Sequence, residues 1–285
     1  MSRTVFLHSC VAFLLAFAAA PAVHAAAPFR SDRISVTVRG SGPDVVLIPG
    51  LAASGGIWNG TVAAMPGYRY HIVQVAGFAG TAARGNARGR VAAGVADEIA
   101  RYISENHLAG AALVGHSMGG SIAMMLAARH PNTARKVMIV DMVPAPVGPF
   151  GVSGPAAAPL ARLIGGSFQG VERGRRELQA LVGRFGSTDW LKTRSDVDVV
   201  GRSLEELLAT DLTADLRRIR VPVTVVYACA EPVRLTCPSI AGIFTRAYAR
   251  RPGTRLIRVE GSGHTIMTDK PAAFRAALGA FLAER

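Results

Sequence analysis

Ser117 stands at the centre of Gly115-His116-Ser117-Met118-Gly119-Gly120, a G-x-S-x-G run. An apolar stretch, 111–114, precedes it, and 121–129, rich in Ala, Met and Leu, follows. Between a strand and a helix this pattern predicts a turn so tight that the serine is held in a strained backbone conformation, with its hydroxyl standing clear of the sheet. The Met118 N–H would point into the same space from a helix N-terminus, where negative charge is favoured. A Gly-rich turn with a purely structural role is the alternative. A serine hydroxyl is a weak nucleophile and needs a base within hydrogen-bond reach. His116 is beside Ser117 and badly aimed, His71 falls within a strand, and His107 and His130 fall at helix ends. His264, in Gly261-Ser262-Gly263-His264, follows a late apolar stretch and is the expected base rather than a satisfied surface histidine.

The base needs a carboxylate to orient it and to stabilise its charged form. Between Val223 and His264 the only carboxylates are Glu231 and Glu260. Glu260 would have to fold back on the histidine. Glu231, on Ala228-Cys229-Ala230-Glu231-Pro232, occupies the expected loop and is preferred, with Asp141, after the 137–140 stretch, as its rival. The oxyanion of an acyl-transfer intermediate needs two donors. Ile48-Pro49-Gly50-Leu51 ends an early strand in a sharp turn, so the Leu51 N–H is the expected partner of Met118.

These groups must be carried to one rim. Residues 34–38 alternate apolar and polar, as an edge strand does, whereas 45–48 are continuously apolar and end at Pro49-Gly50. Such continuous runs suit strands buried on both faces of a parallel sheet. Further strands are expected at 70–75, 111–114, 137–140, 223–227 and 256–259. Helices are expected at 95–103, where Val95, Ile99, Tyr102 and Ile103 recur at helical spacing, at 121–129, and after Pro271, where Phe274, Leu278, Phe281 and Leu282 share a face. The alternation predicts an α/β fold with a mostly parallel sheet and helices on both faces. From Pro144 to Arg220 no buried strand is evident. Helical pieces are expected near 160–164, 171–185 and 203–208, so 144–220 reads as an inserted helical cap between core segments 26–143 and 221–285. A disordered linker is the alternative, and Trp190, Leu204, Leu207 and Leu208 speak against it. Ligands bind at the carboxyl edge of such sheets, which a cap would cover.

The chain has 285 residues, 50 % hydrophobic and 18 % charged, which excludes a disordered chain and provides for a sizeable core. No triplet glycine period or 20–50-residue repeat occurs. Basic residues outnumber acidic ones 32 to 19, a net charge of +13. They are scattered, and the densest run, around Arg84, Arg88 and Arg90, has no interleaved aromatics, so nucleic-acid binding is not expected. No clustered His/Cys set suggests a metal, and no dinucleotide fingerprint suggests a cofactor.

Residues 1–25 read as a secretory signal peptide: Arg3, then an apolar stretch, then small residues before a cleavage site after Ala25. The clean apolar run, 11–20, is too short to span ~30 Å of hydrocarbon, so no stable membrane insertion is expected after cleavage. The expected location is the periplasm or the medium. Cys10 would leave with the signal. Cys229 and Cys237, eight residues apart, would remain as an even pair in an oxidising compartment and are expected to bond, two buried thiols being the alternative.

From about Ile34 to Leu282 the sequence resembles the α/β-hydrolase superfamily. The resemblance is carried by Leu47-Ile48-Pro49-Gly50-Leu51, Gly77-Phe78-Ala79-Gly80-Thr81, the Ser117 elbow, Asp141, Ile219-Arg220-Val221-Pro222-Val223 and Gly263-His264. It implies a sheet of about eight strands, often a helical cap, Ser117 as nucleophile, His264 as base, and Leu51 and Met118 as oxyanion donors. Three positions depart from the family pattern: Pro49 stands where His is usual, Gln74 where an Asp is common, and Glu231 where Asp is commoner. The expected activity is cleavage of a small-molecule carboxylic ester without a cofactor. The alternatives are the same triad acting on an amide, lactone or C–C bond, with peracid chemistry also open to it, and a non-catalytic protein that binds anionic envelope polymers through its basic surface.

Overall fold

The computed structural model describes residues 29–152, 154–184, 194–230 and 236–284. The signal-peptide residues, Trp190 and Glu231 lie outside the described residues. The first half of the chain supplies β1 (Ile34–Arg39), β2 (Asp44–Ile48), α1 (Asn59–Ala64), β3 (Arg69–Val75), α2 (Ala92–Glu105), β4 (Ala111–His116), α3 (Met118–Arg129) and β5 (Ala134–Val140). Helices α4 (Ala158–Gly166), α5 (Val171–Arg184) and α6 (Val197–Ala209) follow. The chain closes with β6 (Val223–Cys229), α7 (Cys237–Ala247), β7 (Arg255–Glu260), α8 (Ile266–Asp269) and α9 (Pro271–Ala283).

The strands form one sheet in the order β1-β3-β2-β4-β5-β6-β7. Only β1 runs antiparallel, pairing Ile34 with Val75; the others are parallel. Seven strands are present among the described residues, where the family resemblance implied about eight. The continuous apolar runs are explained by two cores. Val46, Ile48, Leu113, Val137, Ile139 and Val225 face α2 and α3 on one side. Val45, Leu47, Val114, Met138, Val140 and Val226 face Trp58 and the Phe274/Leu278/Phe281/Leu282 stripe of α9 on the other. Each central strand thus needs apolar residues at odd and even positions alike.

Between β5 and β6 the described residues are helical or irregular and contain no strand. This insertion is fastened to the core by Glu206 of α6. Its carboxylate accepts the N–H groups of Ala92 and Ala93 at 2.8 and 2.9 Å and so caps α2, while Arg90 donates to it at 3.1 Å. A negative charge at a helix N-terminus satisfies donors that have no partner within the helix. Helix α6 begins earlier than the sequence suggested because Asp196 caps it, accepting from the N–H groups of Asp198 and Val199.

Candidate active site

Strand β4 delivers Ser117 between β2 and β5, at the centre of the sheet. Ser117 sits at the end of β4 with φ 54° and ψ −122°, and α3 starts at the next residue. A non-glycine residue there costs about 1–3 kcal/mol and persists only when its surroundings hold it. They do so here. The Ser117 N–H donates to Val140 at 2.8 Å, and its carbonyl accepts from Gly120 at 2.7 Å and Ser121 at 3.2 Å. The flanking glycines are sterically required. A Cβ on Gly115 would lie 2.1 Å from the Gly119 carbonyl oxygen, and one on Gly119 would lie 2.3 Å from that of Ile48.

His264 follows β7 through Gly261-Ser262-Gly263, a loop anchored by the Gly261 N–H on the Cys229 carbonyl at 2.6 Å. Its Nδ1 donates to Asp141 Oδ2 at 2.7 Å. The other oxygen of Asp141 accepts the Ala228 N–H at 2.9 Å. The Asp141 N–H in turn donates to Val226 at 2.8 Å, which fixes this residue, with φ 52°, where β5 ends against β6. Nδ1 of His264 is thus engaged by Asp141, the rival acid, while Glu231, the acid preferred from the sequence, lies outside the described residues. The physical reason is adjacency. β5 and β6 are neighbours in the sheet, so the end of either strand can serve the same histidine.

His116, badly aimed to serve as the base, joins two segments of the site instead. Its Nε2–H donates to the backbone carbonyl of His264 at 2.9 Å, and the two rings lie 4.8 Å apart between centroids. The elbow and the histidine loop are thereby joined through the residue next to Ser117. The only signal in the sequence is that this histidine directly precedes Ser117. Below Asp141, Tyr248 is buried and donates to the Met142 carbonyl at 2.7 Å. Burial pushes its phenol well above the ordinary value, so it stays a neutral donor.

The turn after β2 passes close to Ser117. A Cβ on Gly50 would be 3.1 Å from Cβ of Ser117, so Leu51 follows at the rim of the same space. Met118 is the first residue of α3, and its N–H has no acceptor within the helix. Cys229 and Cys237 form a disulfide that links the end of β6 to the start of α7. No group of three or more metal-ligating side chains occurs among the described residues, and none of their helices is long and apolar enough to cross a membrane.

Set against known proteins, residues 45–277 match the alpha/beta hydrolase family. The chain is 25 % identical over 255 residues to a pimeloyl-[acyl-carrier protein] methyl ester esterase of Aeromonas hydrophila, covering 85 % of this chain and 96 % of that one. An esterase from Exiguobacterium antarcticum superposes with a TM-score of 0.71 at 21 % identity, over 88 % of this chain and 96 % of the other. An enol-lactonase from Burkholderia xenovorans does so with a TM-score of 0.69 at 17 % identity, over the same shares of the two chains. At such identities the two structures share the fold.

Proposed function

The chain belongs to the alpha/beta hydrolase family, and on that premise we propose that it hydrolyses a small-molecule carboxylic ester through Ser117, His264 and Asp141. The observation that carries the proposal is the 2.7 Å bond between His264 and Asp141, at the rim where the strained Ser117 turn ends β4. Similarity to an ester-cleaving relative across most of both chains supports the choice of bond.

In the proposed reaction the Ser117 hydroxyl oxygen attacks the acyl carbon and its proton passes to His264 Nε2. Asp141 keeps the other ring nitrogen protonated and stabilises the imidazolium. The carbonyl oxygen becomes an oxyanion held by the Leu51 and Met118 N–H groups. The C–O bond to the alcohol breaks as His264 returns the proton to the leaving oxygen. Water, deprotonated by His264, then attacks the acyl-serine and releases the carboxylic acid and Ser117. The insertion between β5 and β6 is proposed to cap the acyl pocket, and the division at 144–220 is proposed with it.

Export is part of the same proposal. The signal-like residues 1–25 and the Cys229–Cys237 disulfide both suit an oxidising compartment.

Hydrolysis of nitrophenyl esters of graded chain length, with amide and lactone controls, tests the activity. Ester turnover that disappears in Ser117→Ala is expected. Turnover confined to the amide or the lactone would overturn the ester assignment, and turnover that survives in Ser117→Ala would overturn the nucleophile.

A further inference from the structure

One serine of the insertion reaches the front of the proposed site. Ser195 lies just before α6 and is 2 % exposed. Its hydroxyl accepts the Ala79 N–H at 2.8 Å and donates to the Ala52 carbonyl at 3.1 Å. Ala52 immediately follows Leu51. Both bridged residues are strained, Ala52 at φ 58° and Ala79 at φ 52°, and such positions relax unless their surroundings hold them.

The neighbouring bonds show what is held. The turn around Leu51 is closed by the Ala53 N–H on the Gly50 carbonyl at 3.1 Å. From the sheet, Gln74 Oε1 accepts the Gly55 N–H at 2.9 Å and its Nε2 donates to Phe78 at 3.3 Å. From the insertion, the Asp196 N–H donates to Gly77 at 2.7 Å, beside the Ser195 bridge. The turn after β2 and the 77–81 loop are therefore tied together twice, by Gln74 on one side and by Ser195 on the other.

We propose that Ser195 is a positioning residue for the oxyanion hole, a strut by which the insertion fixes the turn that aims the Leu51 N–H. This rests on the reading of Ser117 as nucleophile. Without the hydroxyl, the Ala52 carbonyl and the Ala79 N–H lose a buried partner and the turn is free to relax. A donor aimed at the developing oxyanion matters far more in the transition state than in the bound ester, so its misalignment shows in kcat rather than KM.

The test uses the full chain and a nitrophenyl ester, with an alkylboronic acid as the probe that forms a tetrahedral anion on the serine. In Ser195→Ala, kcat should fall about 10- to 100-fold, boronate affinity should fall by the same factor, and KM should stay within about threefold. Ser195→Thr and Ser195→Val, which share a shape and differ in the hydroxyl, separate hydrogen bonding from packing even if the alanine variant folds poorly. Thr should retain activity that Val loses. Equal kcat and boronate affinity in Thr and Val, or an alanine variant altered only in KM or melting temperature, overturns the strut. Wild-type protein that neither turns over an ester nor binds the boronate overturns the Ser117 reading and the strut with it. An active wild type indifferent to residue 195 overturns the strut alone.

Discussion

Replacing Asp141 by Asn is the most informative single change, because the structure dictates how the amide must lie. Oδ1 of Asp141 accepts the Ala228 N–H at 2.9 Å and Oδ2 accepts from His264 Nδ1 at 2.7 Å. An asparagine has one acceptor and one donor end. Its oxygen must face Ala228, since the NH2 group would otherwise meet another N–H. The NH2 group then points at His264, where it can be accepted only by an unprotonated Nδ1. The ring proton is forced onto Nε2, the nitrogen that takes the Ser117 proton in the proposed reaction, and the imidazolium formed there loses its counter-charge. Loss of orientation and charge at this position in such triads costs up to about 10⁴ in kcat, or about 5 kcal/mol at 1.36 kcal/mol per decade. We expect Asp141→Asn to lose about 10²- to 10⁴-fold in kcat for a nitrophenyl ester, with its fold retained by circular dichroism, and Glu231→Gln to stay within about threefold. The assay is initial-rate kinetics at saturating ester. A near-wild-type Asp141→Asn together with an inactive Glu231→Gln would exclude Asp141 and return the acid to the loop after β6.

Three further outcomes follow from the same geometry. Gly115→Ala and Gly119→Ala each drive a Cβ to 2.1 and 2.3 Å from backbone oxygens, so each should lose about 3 kcal/mol or more in urea unfolding, and a loss under about 1 kcal/mol would contradict the close packing of the elbow. The Cys229–Cys237 bridge spans eight residues, so the double Ser variant should lose about 2–3 kcal/mol, read as a melting temperature lower by roughly 5–10 °C, and should also lose activity, because β6 carries the Ala228 N–H that holds Asp141. The third concerns His71, which is buried with Nε2 on Asp44 at 2.8 Å and Nδ1 facing the Tyr102 hydroxyl at 2.7 Å. Burial holds the His71 pKa down, and Arg69 beside Asp44 holds that carboxyl down. Both groups bind fewer protons folded than unfolded, so stability is lost as the pH falls, first below about 6.5 through His71 and then at carboxylate pH through Asp44. Melting curves should drop between pH 7 and pH 5 in the wild type and flatten over that range in His71→Gln; equal slopes in the two proteins would exclude His71 as the cause.

Much of this architecture is written locally. The apolar runs at 45–48 and 111–114 are continuous because both faces of the sheet are covered, and the elbow announces itself through two glycines whose Cβ atoms would strike backbone. His264 is legible because it alone among the histidines follows a late strand on a short Gly-rich loop. The acid is not legible in the same way. Asp141 and Glu231 each follow a strand, and the choice depends on how the ends of β5 and β6 sit side by side, a relation between residues 87 positions apart at Asp141 and Ala228. The same holds for Ser195 and Ala52, 143 positions apart, and for His116 and the His264 carbonyl, 148 apart. A hydroxyl or ring that acts by holding another segment in place leaves no periodicity and no motif. Gln74 is a partial exception: it was visible as a departure from the family pattern, but its work of tying Gly55 to Phe78 was not.

The whole proposed mechanism turns on the hydroxyl of Ser117 being an activated nucleophile. Treating the folded protein with a fluorophosphonate and locating the adduct by peptide mass spectrometry tests it most directly. One adduct is expected, on Ser117, formed rapidly in the wild type and far more slowly in Asp141→Asn. Folded protein that stays unlabelled, or an adduct on any other serine, would contradict it.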